Sequence, residues 1–489
     1  MRTSENDMTK HGVADLDLEK FARDACAAEK TRQDAYDAFR KLLFERAAAA
    51  GAEIGVAFGG NAESILSVGS VTKLYGVDPY RHRAGCKDPL NLLQSDFDAQ
   101  YHYALSRLTE FGRRYEHIRK PSRDAAADVG EKIDFVHIDA ENSYDALRDD
   151  LNIWTEKVRV GGIIAGRDYG NPAYPGVKQA VDDYFAPFGT TVTVLDGGVW
   201  WAEMRSRAIS FFMPAYNCEK TIEASVESIM EGNFGEGDEL IIVNDASTDM
   251  TAAAIERVQR RYPGTIVLTH EKNKGGAAAR NTAVEHARNE LLFCLDSDNL
   301  LVAGRVSALK NRLLQSAAHV ALFEEFKYFK NIPSDSTETV RFPPVMTPEA
   351  YFRDTTVPGA SGNYLFTKHS WKMAGGYPEF AGALDTWGFG FRQIVTGARM
   401  VTLPGSWYFH RYGYDSYFTR EARKEKIPLV AIQIVAPYFH IFEERSIRYM
   451  TSKKGRRCWF YRVKKHPIYL KREYRRGQKG EWEKFLARS

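Results

Sequence analysis

Cysteine is scarce in this chain and long apolar runs are absent, and each shortage excludes a class of protein. The five cysteines among 489 residues are odd in number, dispersed and without metal-ligand spacing. That pattern favours a reducing compartment over a disulfide-bonded secreted protein. No apolar run approaches the ~20 residues that span a bilayer, and the charged N-terminus lacks the apolar core of a signal peptide. We therefore expect a cytoplasmic protein.

Internal repeats and low-complexity tracts are also missing. A chain of 489 residues is too long for one hydrophobic core. The sequence predicts two α/β domains of catalytic size. The predicted boundaries are a helical extension over 1–34, domains over 35–205 and 206–444, and a basic, aromatic-rich tail over 445–489.

The most informative motif is Asp296-Ser297-Asp298, which directly follows the apolar run 291–295. Such a run predicts a buried strand that emerges into a polar site. Two carboxylates this close repel by roughly 4 kcal/mol at 4 Å and an effective dielectric near 20. A hard divalent cation relieves that repulsion and also holds a diphosphate. A surface turn often carries the same pair of residues, so the motif alone leaves both interpretations open.

Strand-like and helical patterns alternate before this motif. Apolar runs at 208–213 and 240–243 each end in a polar loop, and helical spacing follows each loop, over 219–230 and 251–262. This alternation predicts an open α/β sheet, in which ligands bind at the carboxyl ends of the strands.

Together these segments resemble the family-2 glycosyltransferases of GT-A fold. The resemblance covers about residues 207–420 and is carried, in order, by Pro214–Asn217, Asn244–Asp249, Asn273–Asn281, Asp296–Asp298, Gly375–Tyr377, Asp385–Trp387 and His410. It implies a nucleotide-sugar donor, a UDP-sugar above all, and a glycan or lipid-linked glycan acceptor. It also implies a Mn²⁺ or Mg²⁺ ion and inversion at the anomeric carbon.

The resemblance implies roles for individual residues. Asp385 would be the general base that deprotonates the acceptor hydroxyl. Asp298 would be the direct metal ligand, with Asp296 and His410 as further metal contacts. Asp245 would contact the nucleotide base. The full set around the sugar-nucleotide would be Pro214, Tyr216, Asp245, Asp249, Arg280 and Asp296.

Other roles stay open for several of these residues. Leu384 stands where the family has a glutamate before the base, so Asp385 would alternatively be an ordinary loop carboxylate. Asp249 would alternatively cap the following helix, and Asp245 would form a turn. His410 lies among aromatic residues and would alternatively be a core histidine.

The first two hundred residues carry a second pattern. A helical stretch over 32–50 precedes the glycine-rich segment 53–60, and the strand-like runs 73–77 and 133–138 end at Asp78 and Asp139. Such glycines allow close backbone approach to an adenosine, and the acid after the second strand accepts ribose hydroxyls. The loop lacks Gly-x-Gly-x-x-Gly spacing, which disfavours NAD.

This block, about residues 35–205, resembles the class I S-adenosylmethionine methyltransferases, in the sugar and small-molecule O-methyltransferase branch. The resemblance is carried by Ile138–Tyr144, Gly161–Gly162, Asp168–Tyr169 and Gly176–Val181. It implies a Rossmann-like domain whose cofactor is surrounded by Glu53, Gly55, Gly59 and Asp78. Asp139 would be catalytic, and Asp139 with Asp168 would hold Mg²⁺ near the acceptor.

Two residues depart from that family. Asn142 and Arg167 stand where it often has histidine, the natural base near neutral pH. Without a histidine, a metal-bound hydroxyl or Asp139 would have to remove the proton of the acceptor. A domain that binds the cofactor without catalysis is an alternative, and Asp168 would alternatively be a turn residue.

Residues 445–489 are strongly basic. They carry sixteen lysines and arginines and three acids, a net charge of +13 against +3 for the whole chain. Interleaved aromatics include Trp459 and Trp482. Such a segment has three interpretations: it lies on an anionic membrane surface, it binds nucleic acid, or it forms a solvated helix. A glycosyltransferase that acts on a lipid-linked acceptor favours the membrane interpretation. The nearby apolar run 429–442 is expected to pack against the transferase domain.

These patterns predict a bifunctional enzyme of surface polysaccharide biosynthesis. A Rossmann-like O-methyltransferase domain would precede a GT-A glycosyltransferase domain, and the protein would be peripheral at the inner face of the plasma membrane. One alternative is a glycosyltransferase whose methyltransferase-like domain only binds an acceptor or partner. The other is a non-enzymatic scaffold.

Overall fold

The computed structural model describes residues 30–82, 92–130, 132–351, 362–412, 427–462 and 465–475. The chain divides into two compact units, one over 1–185 and 190–205, the other over 186–189 and 206–489. Most of the predicted N-terminal extension, and Trp482 in the tail, lie outside the described residues.

The first unit is built on a seven-stranded sheet with the order β3-β2-β1-β4-β5-β7-β6. Strands β1 to β5 pair in parallel, and β7 pairs antiparallel with β5 and β6. The strands are β1 Ala50–Ile54, β2 Lys73–Val77, β3 Tyr115–Ile118, β4 Ile133–Ile138, β5 Val158–Gly166, β6 Thr193–Val194 and β7 Trp200–Glu203. The strand order reverses between β1 and β4, where doubly wound sheets bind their ligands.

Six helices belong to the described part of this unit. They are α1 Gln33–Glu45, α2 Gly60–Leu66, α3 Gln94–Leu108, α4 Ser122–Ala125, α5 Tyr144–Trp154 and α6 Pro175–Phe185. The Oγ of Ser143 caps α5 by accepting a hydrogen bond from the Ala146 N–H at 3.3 Å. The predicted helix over 32–50 ends earlier than expected, because Ala50 already pairs with Lys73 in the sheet.

The second unit contains a nine-stranded mixed sheet. Its order is β10-β9-β8-β11-β15-β12-β16-β14, and β13 pairs with β12. The strands are β8 Ile209–Ala215, β9 Glu239–Asn244, β10 Ile266–Thr269, β11 Leu291–Cys294, β12 Val320–Phe329, β13 Glu338–Arg341, β14 Val345–Met346, β15 Leu365–Thr367 and β16 Met400–Arg411. The first four strands in this order are parallel, so their carboxyl ends share one edge.

The described helices of this unit flank that sheet and extend beyond it. They are α7 Ile222–Met230, α8 Thr251–Arg261, α9 Gly276–His286, α10 Arg305–Gln315, α11 Pro348–Tyr351, α12 Lys368–Ala374, α13 Asp385–Val395, α14 Ile427–Val435, α15 Glu444–Thr451 and α16 Gly455–Cys458. Strands β9 and β11 are buried throughout, as expected for parallel strands covered on both faces. The predicted α/β class is confirmed for both units.

The described part of the basic C-terminal segment is folded onto the second unit. Its core includes Met450, Trp459, Phe460, Ile468 and Leu470. Trp459 is 1% exposed, and its indole N–H donates to the Pro428 carbonyl at 3.0 Å. Trp459 therefore does not serve as the surface anchor that a free tail would provide. Among the residues that the structure describes, no helix has the length and hydropathy needed to cross a membrane.

Candidate functional site

Two loops are joined at the carboxyl edge of the second sheet. The loop after β8 contains Asn217, a non-glycine residue with φ +50°. Its side-chain oxygen accepts the Thr248 N–H at 2.8 Å, and its own N–H donates to Ser247 Oγ at 3.1 Å. These bonds link the β8 loop to the β9 loop. Pro214 lies within β8, and Tyr216 next to it is 48% exposed, which leaves an aromatic face open to a ligand.

Asp245 organises the adjacent loop. Its carboxylate accepts hydrogen bonds from the Lys274 and Gly275 N–H groups, both at 2.8 Å, and from His270 Nδ1 at 2.7 Å. The residue is 2% exposed. Its side chain therefore holds the backbone that leads into α9, which is a different contact from the nucleotide base that the resemblance implies.

Asp249 lies at the start of α8. Its carboxylate accepts the Thr251 N–H at 3.0 Å and the Glu219 N–H at 3.3 Å. These contacts fit the helix-capping alternative, because the first N–H groups of a helix lack partners within the helix.

Arg280 is the centre of the candidate transferase site. Its Nη1 donates to Asp385 Oδ2 and its Nη2 donates to Asp296 Oδ1, both at 2.6 Å. Arg280 is 8% exposed and Asp385 is 8% exposed. A Cβ added to Gly276 would lie 2.8 Å from Arg280 Nη1, so a larger residue there would displace the guanidinium. One buried guanidinium thus joins the candidate base to the Asp-x-Asp motif.

Asn363 fixes Asp296 from the other side. Its Nδ2 donates to Asp296 Oδ2 at 3.1 Å, and its Oδ1 accepts the Asp296 N–H at 2.8 Å. Both oxygens of Asp296 therefore have protein partners. Burial, and after it the charge of Asp296, raises the pKa of Asp298 to about 7. A cation beside Asp298 would relieve this cost of burying a second carboxylate, so the donor set fits a hard divalent ion there.

His410 lies on β16, among aromatic side chains. Its ring packs against Phe326 and Tyr328, and its Nδ1 lies 3.3 Å from the Tyr408 hydroxyl and 3.4 Å from Asn299 Nδ2. Burial lowers the pKa of His410. Within the described ranges, no three His, Cys, Asp or Glu side chains form a group that would hold a metal ion. The role of His410 as a third metal ligand stays a prediction, and the aromatic packing of its ring argues for the core-histidine alternative.

The glycine-rich loop of the first unit follows β1 at the point where the strand order reverses. Gly55 has φ +92°, and a Cβ added there would lie 2.2 Å from the Asp139 carbonyl oxygen. Gly59 precedes α2 with φ +82°. Glu53 is 1% exposed and accepts a hydrogen bond from Asn61 Nδ2 at 2.8 Å, and its Oε2 has no partner in the part of the chain that the structure describes. Burial raises the pKa of Glu53 to about 8. This narrow loop with an orphaned buried oxygen fits a nucleoside cofactor.

Asp78 holds that loop in place. Its Oδ2 accepts the Val56 and Ala57 N–H groups, both at 3.1 Å, and its Oδ1 accepts the Tyr80 N–H at 2.9 Å. A carboxylate offers about four acceptor positions, so Oδ1 keeps capacity for a ribose hydroxyl. Burial raises the pKa of Asp78.

Asp139 and Asp168 are brought together at the ends of β4 and β5, but with arginines between them. Arg167 lies 3.6 Å from each carboxylate, and Arg32 lies 3.7 Å from Asp139. Asp168 has φ +61° and accepts from Asn142 Nδ2 at 3.3 Å and Asn171 Nδ2 at 2.8 Å. The predicted Mg²⁺ does not fit this pair, because arginine charge already neutralises both carboxylates. The role of Asp139 and Asp168 as Mg²⁺ ligands therefore stays a prediction, against which this charge balance argues.

Several contacts at these sites could not be named from the sequence. Asn363 lies 67 positions from Asp296, and Arg32 lies 107 positions from Asp139. Neither residue belongs to a motif. His270 follows β10 as a single histidine, and only the fold shows that it contacts Asp245.

Two family models match the chain. A glycosyl transferase family 2 model matches residues 210–370, and a methyltransferase domain model matches residues 52–169. The first match spans β8 to β15, including the Asp-x-Asp motif, and the second spans β1 to the end of β5.

Curated relatives and a solved structure are similar to parts of the chain. The *Escherichia coli* UDP-Glc:alpha-D-GlcNAc-diphosphoundecaprenol beta-1,3-glucosyltransferase WfgD is 32% identical over 108 residues, 22% of this chain and 42% of the relative. Glycosyltransferase GlyG of *Streptococcus pneumoniae* is 30% identical over 124 residues, 25% of this chain and 40% of that protein. Residues 1–349 of *S. aureus* TarS superpose with a TM-score of 0.40 at 19% identity, over 57% of this chain and 79% of that one.

The chain spans less than half the length of these two curated relatives. The two family matches are consecutive and each falls within one of the two structural units. They confirm the predicted fusion. The chain joins a methyltransferase domain to a glycosyl transferase domain of family 2.

Proposed function

We propose that the second unit is an inverting glycosyltransferase. It moves a sugar from a nucleotide-sugar to a glycan or lipid-linked glycan in surface polysaccharide biosynthesis. The observation that carries this proposal is the Arg280 guanidinium, which joins Asp385 to Asp296 beside Asp298. A UDP-sugar is the favoured donor, since the name of the relative WfgD specifies UDP-Glc.

Asp385 takes the proton of the acceptor hydroxyl in this proposal. Burial raises the pKa of Asp385, while the Arg280 charge opposes that change. A buried carboxylate held by one arginine suits a base, because it stays oriented and still gains proton affinity from burial. The acceptor oxygen forms a bond to the anomeric carbon as the bond from that carbon to the nucleotide diphosphate breaks. A Mn²⁺ or Mg²⁺ ion, when bound, would neutralise the departing diphosphate.

Asp298 would hold that ion, with Asp296 beside it. Both oxygens of Asp296 are engaged by Arg280 and Asn363, which leaves Asp298 as the carboxylate that gains most from a cation. Tyr216 and Pro214 would border the nucleotide. Arg280 would orient Asp296 and Asp385 around the donor. Asp245 and Asp249 would act indirectly, by fixing the loops that contact the donor.

We propose further that the first unit binds S-adenosylmethionine and methylates a glycan hydroxyl. Glu53, Gly55, Gly59 and Asp78 would surround the cofactor, and Asp139 would take the proton of the hydroxyl. The cofactor, when bound, supplies the methyl group. A binding domain without catalysis is the alternative, favoured by Asn142 and Arg167 in place of familiar histidines.

A third part of the proposal concerns contact with anionic lipid. The described C-terminal segment buries Trp459 but exposes basic side chains, including Lys453, Lys454 and Arg457. Tyr461 is 50% exposed on the same segment. Each basic residue near an anionic surface contributes about 1 kcal/mol. Substituting glutamine at 453, 454 and 457 should reduce flotation with anionic vesicles at low salt, and unchanged flotation would refute this contact.

Comparing the surface glycan of cells with and without this protein tests the main proposal. Mass spectrometry should show loss of one sugar and of one methyl group when the protein is absent. Loss of the sugar alone would favour the binding-domain alternative. A glycan that is unchanged in both respects would favour the scaffold alternative and contradict the proposed function.

A further inference from the structure

Arg167 occupies the position between the two carboxylates that the sequence assigned to a divalent cation. It follows the last residue of β5, and its guanidinium lies 3.6 Å from Asp139 and 3.6 Å from Asp168. Its side chain is 10% exposed, and the side chains of Asp139 and Asp168 are each 11% exposed. The three groups form one buried cluster at the carboxyl ends of β4 and β5.

Arg167 is held there by charge more than by hydrogen bonds. Its Nε and Nη1 are buried and have no hydrogen-bond partner among the described residues, and 3.6 Å exceeds a normal hydrogen bond. A buried arginine without hydrogen bonds is costly unless opposite charges compensate. Asp139 and Asp168 provide that compensation. In turn, the two carboxylates are tolerated side by side because Arg167 neutralises them.

The remaining contacts complete the charge balance. Arg32 lies 3.7 Å from Asp139. Asn142 and Asn171 donate to opposite oxygens of Asp168. Two arginines thus face two carboxylates, and Asp168 has little capacity left for a metal ion.

We propose that Arg167 takes the place of the divalent cation predicted for the first unit. The acceptor site of this unit then has its carboxylates neutralised by arginine and works without a metal ion. The proposal rests on the proposed methyltransferase function. The acceptor is an alcohol. Its proton passes to the Asp139 carboxylate, its oxygen bonds to the methyl carbon of S-adenosylmethionine, and the C–S bond breaks with its electron pair left on sulfur. Arg167 is a positioning residue that fixes both carboxylates.

Mn²⁺ binding to the full-length protein tests this assignment. Calorimetry would compare wild type with Asp168→Asn and Asp298→Asn. We expect Asp168→Asn to bind the same number of Mn²⁺ ions as wild type, with an affinity within twofold. Asp298→Asn should lose the ion of the glycosyltransferase unit. A Mn²⁺ ion that is lost in Asp168→Asn but retained in Asp298→Asn would overturn the proposal.

A second measurement removes the arginine itself. Arg167→Gln leaves two facing carboxylates without their buried cation, so Mn²⁺ should raise its melting temperature by several degrees more than it raises that of wild type. Arg159, elsewhere on β5, pairs with Asp134, and Arg159→Gln should show no such gain in melting temperature. Arg167→Lys keeps the positive charge and should show no such gain either. A folded Arg167→Gln protein without the Mn²⁺ gain would contradict the proposal. If Arg167→Gln fails to fold, the Mn²⁺ calorimetry of Asp168→Asn against wild type decides whether the proposal stands.

The proposed function has its own readout in the same samples. Calorimetry with S-adenosylmethionine in excess chelator should show binding to wild type. Absence of binding both in chelator and with added Mn²⁺ would refute the methyltransferase function itself. Binding that requires Mn²⁺ and is lost in Asp168→Asn would refute only the metal independence.

Discussion

Arg280 shows how a residue can be named from a sequence while its role is not. It belongs to the segment 273–281, which matches the glycosyltransferase pattern, but its two partners lie 16 and 105 positions away. Motifs report residues that share a loop. They do not report which side chains from distant loops converge, because convergence depends on the register and twist of the whole sheet.

Asp298→Ala should abolish sugar transfer without loss of the fold. Asp298 is a half-buried carboxylate beside Asp296, so its removal relieves repulsion while it deletes the proposed metal ligand. Transfer rates and the melting temperature would be measured together. Full transfer activity in excess chelator would show that no cation is needed and would defeat this prediction.

Asp385→Asn should lose turnover and keep donor binding, because only the base is removed. General-base catalysis contributes about 10² to 10⁴ in rate, so we expect a loss of turnover in that range. Binding of the UDP-sugar, measured by calorimetry, should stay within a few-fold of wild type. Glu379→Gln is the matched control, since Glu379 is an exposed acid that accepts from Asn281. Normal turnover in Asp385→Asn would assign the base elsewhere.

Glu53→Gln should change how stability depends on pH. Burial raises the pKa of Glu53 from 4.5 to about 8, so the folded state binds a proton that the unfolded state has released. The wild type therefore loses stability as pH rises from about 4.5 to about 8, by up to a few kcal/mol. The glutamine variant lacks this loss.

Urea unfolding at pH 6 and pH 9 would measure the effect. The stability of Glu53→Gln relative to wild type should be greater at pH 9 than at pH 6. The exposed Glu110→Gln provides the control for a surface charge. Parallel stability curves for wild type and Glu53→Gln would mean that Glu53 is ionised in the folded state at neutral pH.

At the scale of elements, the apolar runs predicted the strands well. The run 240–243 became β9 Glu239–Asn244, and 133–138 became β4 without change. Parallel strands are buried on both faces, so their sequence is nearly continuous in apolar residues. The helix over 32–50 was predicted too long, because Ala47 to Ala50 have high helix propensity, whereas Ala50 pairs with Lys73 in the sheet.

The basic C-terminal segment was harder to place. Its charge is visible in the sequence, but its burial depends on Trp459 and Phe460 reaching the core of the second unit. The ring of Phe460 lies 5.2 Å from that of Trp387, two residues beyond Asp385. The net charge of a segment indicates how polar its exposed surface is. It does not indicate which apolar side chains of the segment are buried in the core.

Trp459→Ala should destabilise the second unit by about 3–5 kcal/mol, the usual cost of truncating a buried aromatic residue. Trp459 is 1% exposed and hydrogen bonds to Pro428. Tyr461→Ala is the matched control, because Tyr461 is 50% exposed, and surface substitutions usually stay within ±0.5 kcal/mol. Chemical denaturation would compare the two. Equal, small effects would mean that the segment is detachable, as a free tail requires.

At the scale of the whole molecule, the two-domain organisation could be predicted because each half repeats a local pattern of strand, loop and helix. The predicted Mg²⁺ site of the first unit could not be judged in this way. Asp139 and Asp168 are ordinary carboxylates in the sequence, and their neutralisation by Arg167 and Arg32 exists only once β4, β5 and the segment before α1 are folded.

The two proposed activities should be separable by substitution, because each unit carries its own candidate site. Asp78→Ala removes two backbone hydrogen bonds that hold the loop after β1, a third to the Tyr80 N–H after β2, and a proposed ribose acceptor. We expect S-adenosylmethionine binding to weaken by tenfold or more. UDP-sugar binding should stay within twofold of wild type.

Calorimetry with both ligands on one preparation makes the comparison direct, and Asp298→Ala provides the reciprocal control, with S-adenosylmethionine binding retained. A protein that binds NAD in place of S-adenosylmethionine would overturn the cofactor assignment. If Asp78→Ala weakens both ligands equally, the substitution has unfolded more than one loop. The test then passes to Gly55→Ala, whose Cβ would meet the Asp139 carbonyl in the first unit, and equal losses there too would reject separable sites.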